Sequence, residues 1–274
     1  MALEDIILIK YNKFKKEGSN SPYDLRSVRD LSLIELTENF WIIFASDSDG
    51  GIGPKEGDTF FSTGYELGRL AARVPLIEIL ASGSIPILVI DTLSVEMEPT
   101  GKEIIKGVKE EARLAGINSN LAITGSTEDN VKTIQTGIGV VVVGIVTRED
   151  FKSASSKDGD LIVLIGKPKS APEFKLHYDD PEIINPAIII ELRKLEFVHD
   201  ILPIGSKGIQ HEFSEIAKSA GLIGEYENEL NVDISKSGGP STCCLVSLQE
   251  GKIEELRSKM KLPINIIGRV RKNE

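Results

Sequence analysis

Cysteine is nearly absent from this 274-residue chain, and its two copies, Cys243 and Cys244, are neighbours. Adjacent residues cannot make the loop-closing bridge that staples a secreted fold, so a reducing, cytoplasmic setting is expected. Histidine is almost as rare. His177, His199 and His211 show no HExxH arrangement, and the cysteine pair lacks the Cys-x-x-Cys spacing of a structural zinc site. Basic charge is in deficit, with 32 Lys and Arg against 42 Asp and Glu for a formal net charge of −10. Through Arg148 there are 15 basic and 21 acidic residues, and after it 17 and 21, so neither half is a basic module. The long-range field repels a polyanion, which argues against nucleic acid as the main partner. Long apolar runs are missing too. No stretch approaches the ~18 uncharged apolar residues of a membrane span. Met1 to Lys10 lacks the basic start, apolar core and cleavage site of a signal peptide. The expectation is a soluble cytosolic protein with no membrane partner.

What is present is ordinary globular composition, 41% hydrophobic and 27% charged, with length for about two domains at the ~150-residue prior. The chain before Leu31 is polar, with Lys15 to Pro22 supplying turn formers, and reads as a mobile lead-in. Leu31 to Leu36 and Phe40 to Ala45 read as strands, the second delivering Asp47-Ser48-Asp49 to its end. Gly64 to Gly83 has helical spacing that Pro75 is expected to bend or break. Ile85 to Leu93 reads as a buried strand, and Thr100 to Ala115 as a helix with Thr100 and Glu103 at capping-box spacing and Gly116 ending it. Leu121 to Thr124 and Ile138 to Val146 read as strands, the latter buried on both faces. The polar stretch Thr147 to Gly159 reads as a domain boundary. Beyond it come strands at Leu161 to Ile165, Cys243 to Leu248 and Ile264 to Val270. Helices are expected at Pro181 to Leu195, Gln210 to Ala220 and Lys252 to Met260. The pattern predicts an α/β (α+β) fold of two units, each a sheet covered on one face by helices.

The strongest chemical feature is the run Ala45 to Asp58. Asp47 and Asp49 at a strand end, followed by Gly50, Gly51 and Gly53, can hold Mg²⁺ while backbone N–H groups approach phosphate oxygens, or can form a solvated Asp/Gly turn. Thr124 to Asn130 combines hydroxyls with Glu128 and Asp129, as a metal or phosphate site or as a capped loop. Glu78 in an apolar helix and Asp91 in an apolar strand are candidate ligands, or a partner of Arg69 or Arg73 and a cap, respectively. Gly205 to Gly208 with Lys207, and Ser235 to Thr242, can bind an anion or merely connect elements. No phosphate-loop motif, dinucleotide fingerprint or nucleophile elbow occurs, and Gly137-Ile138-Gly139 opens an apolar strand without a third glycine. The two cysteines have no His or basic neighbour in sequence and read as packing residues.

The order of these motifs resembles the aminoimidazole ribonucleotide synthetase superfamily. The likeness rests on Asp47 to Gly53, Glu78 to Pro86 with Asp91 after it, Thr124 to Thr127, and Thr136 to Gly139. Met97 to Ile105 and Pro203 to Ile209 bring it nearest to the α-ribazole kinase-like branch, whose members resemble ATP-dependent kinases of the cobalamin lower-ligand nucleoside. The resemblance implies ATP and Mg²⁺ as cofactors, a small-molecule substrate and a homodimer formed through the N-terminal sheets. It also implies an N-terminal ATP- and Mg²⁺-binding domain over residues 1–148 and a C-terminal domain over 149–274. As metal ligands it implies Asp47, Asp49, Glu78 and Asp91. As nucleotide contacts it implies Gly50, Gly51, Gly53, Lys55, Gly125, Ser126, Thr127 and Lys207. Ile77-Glu78 stands where the superfamily often has Asn-Asp, and Ser126 stands where many members have a carboxylate, a charge that Glu128 or Asp129 can supply. A selenophosphate synthetase would carry a Cys or selenocysteine with Lys in the N-terminal glycine-rich segment, whereas both cysteines here lie near the far end, and a hydrogenase maturation protein would present a C-terminal Cys where this sequence reads Arg271-Lys272-Asn273-Glu274. The other enzyme readings are a synthetase of the aminoimidazole ribonucleotide or thiamine-phosphate kinase type. A non-catalytic nucleotide-binding protein is the reading from another class.

Overall fold

The structure, a computed structural model, describes residues 3–17 and 24–273. Within the expected lead-in, α1 (Leu3–Glu17) and β1 (Asp24–Val28) are regular, so that expectation is corrected there; the rest of it lies outside the described residues. The strands of the first half are β2 (Leu31–Thr37), β3 (Phe40–Gly50), β4 (Ile52–Gly53), β5 (Phe60–Phe61), β6 (Ile85–Leu93), β7 (Ile123–Ser126) and β8 (Gly137–Thr147). Six of them form a sheet in the order β1-β2-β3-β8-β6-β7, antiparallel except for the β6/β7 pair. β4 and β5 pair separately.

Helices α2 (Gly64–Ala81) and α3 (Lys102–Leu114) cover one face of this sheet. Thr63 caps α2 by accepting a hydrogen bond from the Glu66 N–H, and the helix runs through Pro75 without ending. Pro75 is buried, and packing along the whole helix offsets the one donor it lacks. α3 starts later than its capping-box spacing predicts. Thr100 sits in a turn at Met97–Gly101 and donates its hydroxyl to Glu96 at 2.6 Å, leaving Gly101 as the cap. β8 is central, but it alternates between buried and half-buried residues and so is buried on one face only; Ile85 and Ile87 of β6 are likewise exposed.

The second half contributes β9 (Leu161–Gly166), α4 (Pro186–Arg193), β10 (Val198–Pro203), α5 (Ile209–Ser219), β11 (Ile223–Tyr226), β12 (Cys243–Leu248), α6 (Ile253–Lys259) and β13 (Ile264–Arg271). Its antiparallel sheet has the order β10-β12-β9-β13-β11. Asn185 caps α4, accepting from the Ile188 N–H at 3.1 Å, which moves the helix start five residues past Pro181. β9 and β12 are buried on both faces: Ile162, Leu164, Cys243 and Leu245 pack under α5, whereas Val163, Ile165, Cys244 and Val246 join the core shared with the first half. The expectation of one covered face is corrected for this sheet. Cys243 and Cys244 therefore point into two different cores, and burial raises both thiols, that of Cys244 to about 12. The overall class is mixed α/β with helix-covered sheets.

Candidate active site

Period-two geometry decides which side chains of β3 face the interior. Trp41, Ile43 and Ala45 are buried, and the same face continues through Asp47 and Asp49. The strand extends to Gly50, so both aspartates lie inside it and not in a turn beyond it. On α2, Leu67, Leu70, Val74, Glu78 and Ala81 follow helical spacing and make one stripe against a cavity of about 370 Å³. Asp47, Ser48, Asp49 and Glu78 form its acidic end. Phe60, Leu176, Ile201, Leu202 and Pro203 supply apolar wall, and the turn after β10 closes it with Gly205 and Ser206. The cavity thus lies between the two sheets, at the end of β3.

Burial controls the electrostatics here. It pushes the Glu78 carboxyl up to about 8, with Asp30, Asp47 and Glu212 adding repulsion, and Glu78 Oε2 has no hydrogen-bond partner. Asp49 rises to about 6 through burial and then the Asp47 charge; Asp47 itself is raised by burial against a lowering backbone hydrogen bond at Ser48. The Arg69 and Arg73 alternative for Glu78 does not form. Arg69 Nε and Arg73 Nε donate instead to Glu111 of α3 at 2.6 and 2.7 Å, and Arg73 also donates to the Tyr178 and Ile184 carbonyls. Glu78 is left half-buried, with Oε2 sealed from water and no structural counter-ion.

The other expected site residues fall elsewhere. Asp91 on β6 shares the β8 partner Val140 with Asp47, which puts the two on one row but about 10 Å apart at the backbone. Burial raises Asp91 to about 6, opposed by Lys109, and Gly125 packs so closely that a Cβ there would lie 2.3 Å from Asp91 Oδ1. Glu128 accepts from the Asn130 and Val131 N–H groups, while Asp129 accepts from the Met97 N–H at 2.9 Å and the Thr127 hydroxyl at 2.8 Å. Both are loop caps outside the cavity lining. Lys55 pairs with Glu96, whose carboxyl drops to about 2 through its bonds to Lys55 and Thr100 against the raising effect of burial. Gly50, Gly51 and Gly53 run along the loop edge, where Gly51 (φ +70°) and Gly53 (φ +153°) need conformations that favour glycine, and Ser126 pairs with Thr92 at the sheet edge. Lys207 is exposed on the turn before α5. The α5 N-terminus is occupied by the chain itself: the Ile209 and Gln210 N–H groups donate to the Lys236 and Ile234 carbonyls. It presents no open anion cradle.

The six carboxylates expected as metal ligands are therefore separated into the cavity group Asp47, Asp49 and Glu78, the sheet residue Asp91, and the caps Glu128 and Asp129. Among the described residues, no three His, Cys, Asp or Glu side chains converge on one metal position. The donor set still suits Mg²⁺. That ion takes hard oxygen ligands and commonly uses one or two carboxylates, completing its shell with phosphate and water. Sequence reading missed Glu212 and Asp30. Glu212, in the first turn of α5, is buried and raised to about 7 by burial and Asp30, with Lys207 pulling the other way. Its place on the apolar stripe Ile209, Phe213, Ile216 was the available signal.

Residues 33–146 match the family model described as AIR synthase related protein, N-terminal domain. A selenide, water dikinase of Pseudomonas straminea is 26% identical over 180 residues, 60% of this chain and 49% of that protein, so the match spans about half the length of that relative. Among solved structures, thiamine-monophosphate kinase from Stenotrophomonas maltophilia K279a aligns over 100% of this chain and 94% of its own, at 16% identity and a TM-score of 0.63. AaThiL complexed with AMPPCP and TMP covers 100% and 94%, at 17% identity and a TM-score of 0.61. No helix among the described residues is long and apolar enough to cross a membrane. Residues 33–146 therefore resemble the N-terminal domain of AIR synthase-related proteins, and the chain as a whole has the fold of these solved kinases.

Proposed function

We propose that the protein is an ATP- and Mg²⁺-dependent kinase that transfers the γ-phosphoryl group to a hydroxyl of a small nucleoside-like acceptor such as α-ribazole. The observation that carries the reading is the acidic end of the cavity, where Asp47 and Asp49 share a strand face opposite the unpaired Glu78. Kinase relatives in the same superfamily, one of them solved with an ATP analogue, support it. Phosphoryl transfer needs positioning and charge neutralisation more than covalent participation by the protein. Mg²⁺ would supply that neutralisation, held by Asp47 and Asp49 with Glu78 beside them. These carboxylates fix where the phosphates sit; the apolar wall orients the acceptor and keeps water out. In the transfer, the bond from γ-phosphorus to the bridging oxygen of ADP breaks, a bond to the acceptor oxygen forms, and the hydroxyl proton is released.

The same reading takes residues 1–148 as the nucleotide-binding and dimerisation domain and 149–274 as its partner domain. It also takes the outer face of the first sheet as the homodimer contact. Phe40, Ile42 and Phe44 on that face are half-buried, and Ile85 and Ile87 are 65% and 44% exposed, an apolar surface that a second copy would cover. ATP turnover against an acceptor panel tests the proposal. A phosphorylated acceptor supports the kinase, a cyclised product means a synthetase, and binding without turnover means a nucleotide sensor.

A further inference from the structure

We infer that Asp30, on the turn joining β1 to β2, is a specificity-determining residue that disfavours acceptors carrying a phosphate whose charge no bound Mg²⁺ offsets. The inference rests on the proposed function only in calling the cavity's ligand the acceptor. Arg29 and Asp30 form the two-residue turn between β1 and β2, and both line the cavity. Arg29 has φ +54°, a left-handed conformation that a non-glycine residue adopts at a cost. What holds it there is a set of contacts to the other half of the molecule. Its two terminal nitrogens donate to Asp200 Oδ1 and Oδ2 at 3.1 and 2.5 Å, and Nε donates to Ser219 Oγ at 3.0 Å. Asp200 is fully buried and also accepts from the Ser155 N–H and the Ser156 hydroxyl. The turn is clamped onto the second half, and the clamp fixes Asp30 on the cavity wall.

Two consequences follow for charge. Arg29 is the single cation among the described residues lining the cavity, and Asp200 already neutralises it. The remaining ionisable lining groups, Asp30, Asp47, Asp49 and Glu78, are all carboxylates. Asp30 faces Glu78 of α2 and Glu212 of α5 closely enough to repel both; Lys207 and Arg29 are the basic groups facing Glu212. A divalent cation bound by Asp47 and Asp49 would offset their charge, whereas Asp30, exposed on its turn, has no part in that ligand set. The acceptor that suits these walls has an apolar body, a hydroxyl or cationic end, and no phosphate.

Calorimetric binding of a benzimidazole riboside and its 5′-phosphate to the full chain tests this, in chelator-containing buffer without ATP. The riboside is expected to bind, and the phosphate to bind at least about tenfold more weakly. In Asp30→Asn, which removes the charge from an exposed turn, riboside affinity should stay within about twofold. The phosphate should gain about three- to tenfold, a gain that shrinks as salt is raised. An unchanged ratio in Asp30→Asn, equal binding of the two probes by the parent protein, or binding of neither overturns the inference. A riboside that binds in this pattern but is not phosphorylated on adding ATP and Mg²⁺ refutes the kinase reading alone. A phosphate ester that binds and is itself phosphorylated refutes only the discrimination against phosphate.

Discussion

Replacing Glu78 by Gln keeps the side chain's volume and removes a charge that burial disfavours. Burial raises this carboxyl from 4.5 to about 8. Below about pH 4 it is neutral in both folded and unfolded chains, and the substitution should change little. Between 4.5 and 8 the unfolded chain releases the proton while the folded protein keeps it, so stability falls as pH rises and the loss is complete above about 8. At about 1.4 kcal/mol per pH unit, a difference of about 3.5 units sets a ceiling of about 5 kcal/mol. Relaxation of the site and water entering around the charged carboxylate discount that ceiling, so about 2 kcal/mol is the expected gain for Glu78→Gln at pH 8.5. For a chain of this size that is roughly 4–6 °C in Tm. Calorimetry of the metal-free protein at pH 4 and pH 8.5 reads it directly. A Tm lowered at both pH values would refute the reasoning, because it would mean that Glu78 stabilises the fold as a packed or hydrogen-bonded group.

Breaking the clamp by Arg29→Ala should destabilise the protein by about 3–5 kcal/mol in denaturant melts, since Asp200 would be left buried and unpaired; a loss under about 1 kcal/mol would count against its role in joining the two halves. The double change of Cys243 and Cys244 to Ala should leave ATP-dependent turnover largely intact, and a thiol reagent should not modify the native protein, because both groups are buried with raised pKa. Rapid modification would contradict that. Sedimentation should show a dimer at micromolar concentration, and Ile87→Lys on the exposed apolar face of β6 should shift it to monomer. A parent protein that is already monomeric would remove the outer sheet face as the contact.

Strand periodicity made much of the site legible. Asp47 and Asp49 continue the inward face of Trp41, Ile43 and Ala45, and Glu78 stands out because it interrupts an apolar helical stripe. What local pattern could not show was the competition for partners. Arg69 and Arg73 were plausible mates for Glu78, yet Glu111, 38 residues beyond Arg73, takes both. Glu128 and Asp129 had the composition of ligands, but N–H groups of their own loop and of Met97 reach them first. Thr100 had capping-box spacing and was drawn to Glu96. Asp30 and Glu212 come from opposite halves of the chain, so nothing in either neighbourhood reports that their charges come close enough to repel. Pro75 failed to break its helix because the packing around it is tertiary and invisible to a local rule.

The most direct test of the account is the Mg²⁺ dependence of AMPPCP binding, measured by calorimetry on the parent protein and on Asp47→Asn. Asn preserves shape and hydrogen bonding, so a turn residue would tolerate the swap. The parent should bind the nucleotide analogue tightly only with Mg²⁺. Asp47→Asn should lose most of that dependence while remaining folded, with a metal-free Tm held or raised by relief of carboxylate repulsion. Unchanged affinity and unchanged Mg²⁺ dependence in Asp47→Asn would take Asp47 out of the site and with it the main support for a kinase.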